Sequence, residues 1–301
     1  MGDLRLGERW SPLQRVKNDA LWSAARASLL LTRLVSPARL RAFGRALGGA
    51  AFHLARTPRR VAEENVARVF PHWDAARRRA LVRENFRQLG ELLGEVATLL
   101  SERPLAPLPF DPDAEALLDA MVAEARGVLL VSAHLGNWER VAHALVGRGL
   151  PLTTIARESY DPRFLAWYTR VRGPVDVIYR GSAGASTRIV RVLRRGRVLG
   201  VPMDLRSRVP STDVAFLGHA APTPVGPARL ALRTGAKVVV VTLAPGSGDE
   251  AGSRITATAI DTSDLGPGPA GERALTERLN QELSARILRM PEAWLWPHER
   301  W

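Results

Sequence analysis

From Gly127 to Ile260 the chain repeats one pattern, a short apolar run followed by a segment with helical spacing. The strand-like runs are Gly127–Ala133, Leu152–Ala156, Val175–Tyr179, Val198–Met203, Lys237–Leu243 and Ile255–Ile260. Helix-like segments fall between them at Trp138–Val146, Pro162–Arg172, Ala185–Arg195 and Pro224–Arg233, and another from about Gly271 to Arg289 closes the fold. Alternation of this kind predicts an α/β fold, with a mixed, largely parallel sheet flanked by helices. The chain has 301 residues, 46% of them hydrophobic, enough for a sizeable core.

Residues 1–103 follow a different rule and read as helical throughout. Ala38 to Arg56 is rich in Ala, Leu and Arg, with Gly44, Gly48 and Gly49 placed to permit close helix contacts. Pro58 sits where a helix can begin. Pro71-His72-Trp73-Asp74 is a break, and Asp74 is a candidate cap for Ala75 to Leu100. In that stretch Leu81, Phe86, Leu89, Leu92, Leu93, Val96 and Leu100 recur at core-packing spacing. Pro104, Pro107, Pro109 and Pro112 mark a connector. The expected organisation is a helical, membrane-associating region over 1–103, packed on the sheet or on the membrane, and an α/β catalytic unit over 104–301. The segment Ala20 to Thr32 is apolar but interrupted by Arg26 and ended by Arg33. It is shorter than the ~20 residues a spanning helix needs. It reads as a helix in the membrane interface, with Trp22 at headgroup level, or as a core helix. No secretory signal pattern is read at the N-terminus.

The stretch richest in chemistry is Val131-Ser132-Ala133-His134-Leu135-Gly136-Asn137-Trp138-Glu139. A strand leads into it and a helix leaves it. His134 at the strand end and Glu139 in the first helical turn can therefore point into one crevice, at the sheet edge where α/β proteins bind ligands. Histidine ionises nearest working pH and suits removing a proton from an alcohol, while a carboxylate can orient the ring. Gly136 allows close backbone approach and Asn137 is a candidate N-cap. The competing reading is a strand-end histidine satisfied by backbone, with Glu139 a first-turn acid favoured by the helix dipole. Asp204 ends another strand at the same sheet edge, and Arg170 and Arg172 close a helix; each has a structural or solvated reading beside a functional one.

Other chemistries lack their residues. There is no cysteine, which removes disulfides, thiolate metal sites and a cysteine nucleophile. The remaining histidines are scattered without metal-ligand spacing. The match Gly266-Pro267-Gly268-Pro269-Ala270-Gly271 follows no strand, and its prolines lack the N–H groups a phosphate cradle needs. No GxSxG elbow or Walker loop is present. Neither a cofactor nor a metal is expected.

Net charge is +13, and only Lys17 and Lys237 among the 43 basic residues are lysine. This field favours acidic partners: nucleic acid, anionic headgroups or an acidic carrier protein. A nucleic-acid binder would interleave aromatics with its basic residues. The tyrosines are few (Tyr160, Tyr168, Tyr179), and most tryptophans adjoin apolar segments. Trp294, Trp296 and Trp301 crowd the C-terminus with His298 and Arg300, a density that fits docking on a core or a membrane.

Several motifs occur in one order. Arg59 to Val66 with Phe70-Pro71 comes first, followed by Phe86 to Gly90 with Glu95, and His134 to Glu139. Leu193 to Gly196 leading to Asp204, Phe216 to Gly226, Ala231 to Ala236 and the Trp294-to-Trp301 end complete the series. Together they resemble the bacterial lipid A biosynthesis acyltransferase family, the lauroyl and myristoyl transferases and their relatives. The resemblance implies an enzyme at the cytoplasmic face of the inner membrane, peripheral, monotopic or held by one N-terminal anchor. It implies transfer of a fatty acyl chain from acyl carrier protein, or acyl-CoA, to a hydroxyl of a lipid A precursor, a related glycolipid or another membrane lipid. His134 and Glu139 fall on the family's His-x4-acid dyad, with Glu139 orienting the ring. Gly136, Asn137, Arg170, Arg172 and Asp204 are implied in substrate binding, Arg170 being the best match to the family's arginine.

Overall fold

A computed structural model describes residues 9–100, 103, 107–157, 161–173, 175–245 and 252–301. Tyr160 and part of the proline connector lie outside this set, as do the side chains of Arg170 and Arg172. Four helices come first: α1 (Pro12–Thr32), α2 (Pro37–Leu54), α3 (Arg56–Val69) and α4 (Ala75–Leu100). A short α5 (Pro112–Ala123) leads to β1 (Val128–Ser132), α6 (Trp138–Gly147), β2 (Leu152–Arg157), α7 (Pro162–Arg172), β3 (Asp176–Arg180), α8 (Ala185–Arg194) and β4 (Val198–Pro202). A hairpin of β5 (Ser211–Phe216) and β6 (His219–Pro224) precedes α9 (Gly226–Thr234), β7 (Lys237–Pro245), β8 (Ser253–Ile260) and α10 (Pro269–Arg289).

The main sheet has the order β3-β2-β4-β1-β7-β8, parallel except for β8. All six strands lie where the apolar runs predict them. β1 is central, between β4 and β7, and its four residues Val128 to Val131 are buried. This placement sets the functional edge. In the β1–β4 register Ser132 is opposite Pro202, so His134 and Asp204 each follow a matched pair by two residues. Neighbouring parallel strands lie about 4.8 Å apart and end on the same side, which brings those two side chains together.

Two elements depart from the sequence reading. The connector holds α5, whose Pro112 stands in its first turn while the Asp111 side chain accepts the Asp113 N–H. Proline there starts a helix rather than breaking one, because that N–H has no helical partner anyway. The β5–β6 hairpin went unread. Its turn is Leu217-Gly218, both at positive φ (48° and 84°), without the usual Asn-Gly signature, and β6 carries Pro222 and Pro224. Pro224 is the last residue of β6, and α9 begins at Gly226 rather than at Pro224.

α2 and α4 pack with their backbones almost touching. A Cβ on Gly44 would lie 2.2 Å from the Gly90 carbonyl oxygen, and one on Gly48 would lie 2.1 Å from that of Phe86. Gly90 and Gly94 return the same close approach from α4. Gly49 is outside this contact, meeting only the Arg87 side chain at ordinary distance. Turning its glycine face to α4 leaves α2 with an apolar face in solvent, where Phe43, Leu47 and Leu54 are exposed. Trp22 is half-buried, edge-on to Phe164 of α7 at 5.2 Å. Among the described residues no helix is long and apolar enough to cross a membrane. The C-terminal tryptophans dock on the core, Trp294 and Trp296 being fully buried.

Candidate active site

β1 delivers His134 to the sheet edge, and two residues later the chain must turn into α6. Gly136 makes that turn at φ +58°, a left-handed conformation an L side chain resists, and a Cβ there would press on Leu243 at 2.9 Å. Asn137 caps α6 as its position predicts, its Oδ1 accepting the Arg140 N–H at 3.1 Å. Its amide also donates to Glu95 of α4 at 2.6 Å, and Glu95 accepts from Arg140 at 3.3 Å. The loop carrying His134 is thus tied to α4 at its far end.

The carboxylate on the imidazole is Asp204. His134 Nδ1 lies 2.9 Å from Asp204 Oδ1, and the His134 backbone N–H donates to Oδ2 at 2.8 Å. Trp294 donates its indole N–H to the same Oδ2 at 2.8 Å. Asp204 is fully buried, so these donors replace water around its charge. The ring keeps 22% of its surface exposed, and the Trp138 ring stands edge-on to it at 4.7 Å. With Asp204 accepting at Nδ1, that nitrogen carries the proton of the neutral ring and Nε2 presents a lone pair. The orienting role expected of Glu139 therefore corrects to Asp204. Glu139 is buried in the first turn of α6 and acts on the ring through its charge.

Electrostatics follow from this geometry. Burial alone would lower the His134 pKa, but the Asp204 charge and hydrogen bond, with the Glu139 charge, outweigh it and raise the value above 6.5. Burial pushes Asp204 the other way from its partners, and the imidazolium with the Trp294 and backbone donors holds its carboxyl below 3.8. The pair therefore stabilises the fold most between those two ordinary values. The Asp204 share is present above 3.8 and lost as pH falls through its lowered native pKa; the His134 share is complete below 6.5 and lost as pH rises through its raised one.

The remaining expected site residues divide. The Gly136 N–H donates to the Ala293 carbonyl at 2.9 Å and is therefore occupied by the protein. Asn137 is engaged at both ends of its amide by protein groups. α7 ends on Arg170 and Arg172, whose side chains lie outside the described residues. Behind the loop lies a cavity of about 580 Å³, lined by Leu89, Leu92, Leu108, Leu243 and Met290, with Arg41, Glu95 and Arg254 among its polar residues. Sequence reasoning missed that Asp204 bonds the ring, that Trp294 backs Asp204, and that Glu95 holds Asn137. The first was open to inference, since both residues end strands; the others depend on chain segments far apart in sequence.

A histidine edged by a buried aspartate at the carboxyl ends of parallel strands admits several reactions, and comparison with known proteins narrows them. The profile of the bacterial lipid A biosynthesis acyltransferase family matches residues 10–301. The chain belongs to this family. It is 31% identical over 126 residues to a phosphatidylinositol mannoside acyltransferase of Mycobacterium tuberculosis, covering 40% of each protein. The corresponding protein of Mycolicibacterium smegmatis is 28% identical over 180 residues, 58% of this chain and 57% of that one. A lipid A biosynthesis palmitoleoyltransferase of Escherichia coli is 26% identical over 250 residues, 80% of this chain and 77% of that protein. The match thus spans well under two thirds of the mycobacterial relatives.

Proposed function

We propose that this family member is an acyltransferase in which His134 is the general base, held by Asp204. The observation that carries this reading is a partly exposed imidazole whose Nδ1 is fixed by a buried carboxylate. Nε2 would take the proton of an acceptor hydroxyl as its oxygen attacks a thioester carbonyl. The tetrahedral oxyanion collapses, the C–S bond breaks, and the departing thiolate recovers the proton from the imidazolium. Glu139 adds negative charge that favours the imidazolium. The guanidinium of Arg170, with Arg172 as the rival, is the proposed oxyanion donor.

The proposed donor is an acyl carrier protein thioester, acyl-CoA being the alternative; the net charge of +13 favours an acidic protein partner. The proposed acceptor is a lipid A precursor or related glycolipid. The mycobacterial similarity supports a mannosylated phospholipid as a second reading. The apolar side chains of the cavity behind the loop suit a fatty chain, each buried methylene contributing about 0.8 kcal/mol. Transfer of labelled acyl groups from carrier protein to glycolipid-containing vesicles tests the donor and acceptor together. Lipid profiles of cells with and without the gene product identify the acceptor, and an unchanged glycolipid fraction would count against it.

We place the protein at the cytoplasmic face of the inner membrane, lying on it. Support comes from Leu13 and Val16 of α1, Phe43, Leu47 and Leu54 of α2, and Leu93 of α4, all exposed although apolar. The double substitution Phe43→Asp, Leu47→Asp is expected to reduce co-sedimentation with anionic vesicles at least tenfold, since two buried apolar side chains are worth about 1.5–3 kcal/mol each. Undiminished pelleting of the double variant would remove α2 from the contact.

A further inference from the structure

The last eight residues cross the back of the catalytic pair as a strap. After α10 and a turn at Pro291–Ala293, the chain is gripped from the N-terminal helices. Asn85 of α4 donates its amide to the carbonyls of Glu292 and Trp294, and Asn65 of α3 donates to those of Trp296 and His298. The strap also meets the catalytic loop directly. Leu135 pairs with Trp294 in an antiparallel bridge, and Ala293 accepts the Gly136 N–H. Its side chains then reach Asp204 from behind, through the Trp294 indole N–H.

Arg300 sharpens the pattern. This guanidinium is fully buried, donating to the Pro222 carbonyl and the Thr223 hydroxyl, each at 2.7 Å, and lying 4.5 Å over the Phe216 ring. Among the described residues no carboxylate is within ion-pair distance of it. Burial lowers its pKa to about 10, and Asp204 is the carboxylate whose charge opposes that fall. A buried cation without a paired anion is costly, and these contacts hold the end of the strap against the β5–β6 hairpin.

We infer that the strap is a positioning element of the catalytic pair: Trp294 fixes the Asp204 carboxylate and restrains the basicity of His134. The inference rests on the His134–Asp204 reading above. The indole N–H draws negative charge from Oδ2, which weakens the pull of Asp204 on a proton at the imidazole. Among the described residues the other groups acting on the pair are Glu139 from α6, which favours the imidazolium, and the two partners themselves. Removing the Trp294 N–H therefore makes His134 more basic, the opposite of removing Asp204.

Isotope-labelled histidine NMR titrations of the full chain test this, with His134→Ala to assign the resonance. In Trp294→Phe the His134 midpoint is expected to rise by about 0.5–1 pH unit. A purely structural strap would lower the folded fraction with no change in midpoint. An unchanged or lowered midpoint in folded Trp294→Phe overturns the inference. Should Phe unfold the core, replacing Trp294 by its isosteric benzothiophene analogue, which lacks only the N–H, gives the same reading. The titration needs no acyl transfer, so an inactive wild-type protein with a rising midpoint would count against the proposed function and leave the strap standing.

Discussion

Replacing His134 by alanine is expected to lower acyl-transfer turnover by about 10²–10⁴-fold, the usual worth of a positioned general base. Fold and membrane binding should survive, because the ring is partly exposed and its removal leaves Asp204 with the backbone N–H of residue 134 and the Trp294 indole as donors. KM for the donor should change little, since the proton is taken only as the hydroxyl attacks; an effect confined to turnover marks an interaction made in the transition state. Wild-type-like turnover of the folded variant would refute the mechanism.

Asp204→Asn is expected to cost nearly as much, ~10²–10⁴-fold in turnover, by a different route. An asparagine amide can donate to Nδ1, which favours the tautomer with its proton on Nε2 and removes the lone pair the reaction uses. The pH dependence separates this from a packing defect. In the wild-type protein the acid limb of kcat/KM should lie above pH 6.5, because His134 must be neutral to act and its pKa is raised. Without the Asp204 charge, burial dominates and the limb moves to lower pH. A residual rate with an unmoved acid limb would show that Asp204 does not act on the base. Glu139→Gln should move the limb the same way, though less, because it acts on the ring through charge while Asp204 also bonds it.

Much of this architecture was legible in the sequence. Apolar runs separated by helical segments place all six strands of the main sheet, most firmly the central β1 and β7, which are buried and therefore apolar along most of their length. The hairpin escaped because its proline-bearing strand and Leu-Gly turn carry none of the ordinary signals. The candidate base was legible from strand, turn and helix around His134, and the glycine and cap after it were read for the physical reasons the structure bears out. Its partner was not. Glu139 is five residues away in sequence and drew the orienting role, while Asp204, seventy residues on, holds the hydrogen bond.

The sequence by itself determined the α/β class, the parallel strands, and a histidine presented at their carboxyl edge. These follow from local periodicity and turn chemistry, which act over a few residues. Only the tertiary structure decided which acid bonds that histidine, that the Gly136 N–H is taken by Ala293, that Trp294 stands behind Asp204, and that Arg300 is buried against the β5–β6 hairpin. Those outcomes depend on strand order, because placing β4 beside β1 sets Asp204 against His134, and on a chain end folded back through contacts with α3 and α4. No local pattern encodes which strand becomes the neighbour of which; the packing of the whole core does.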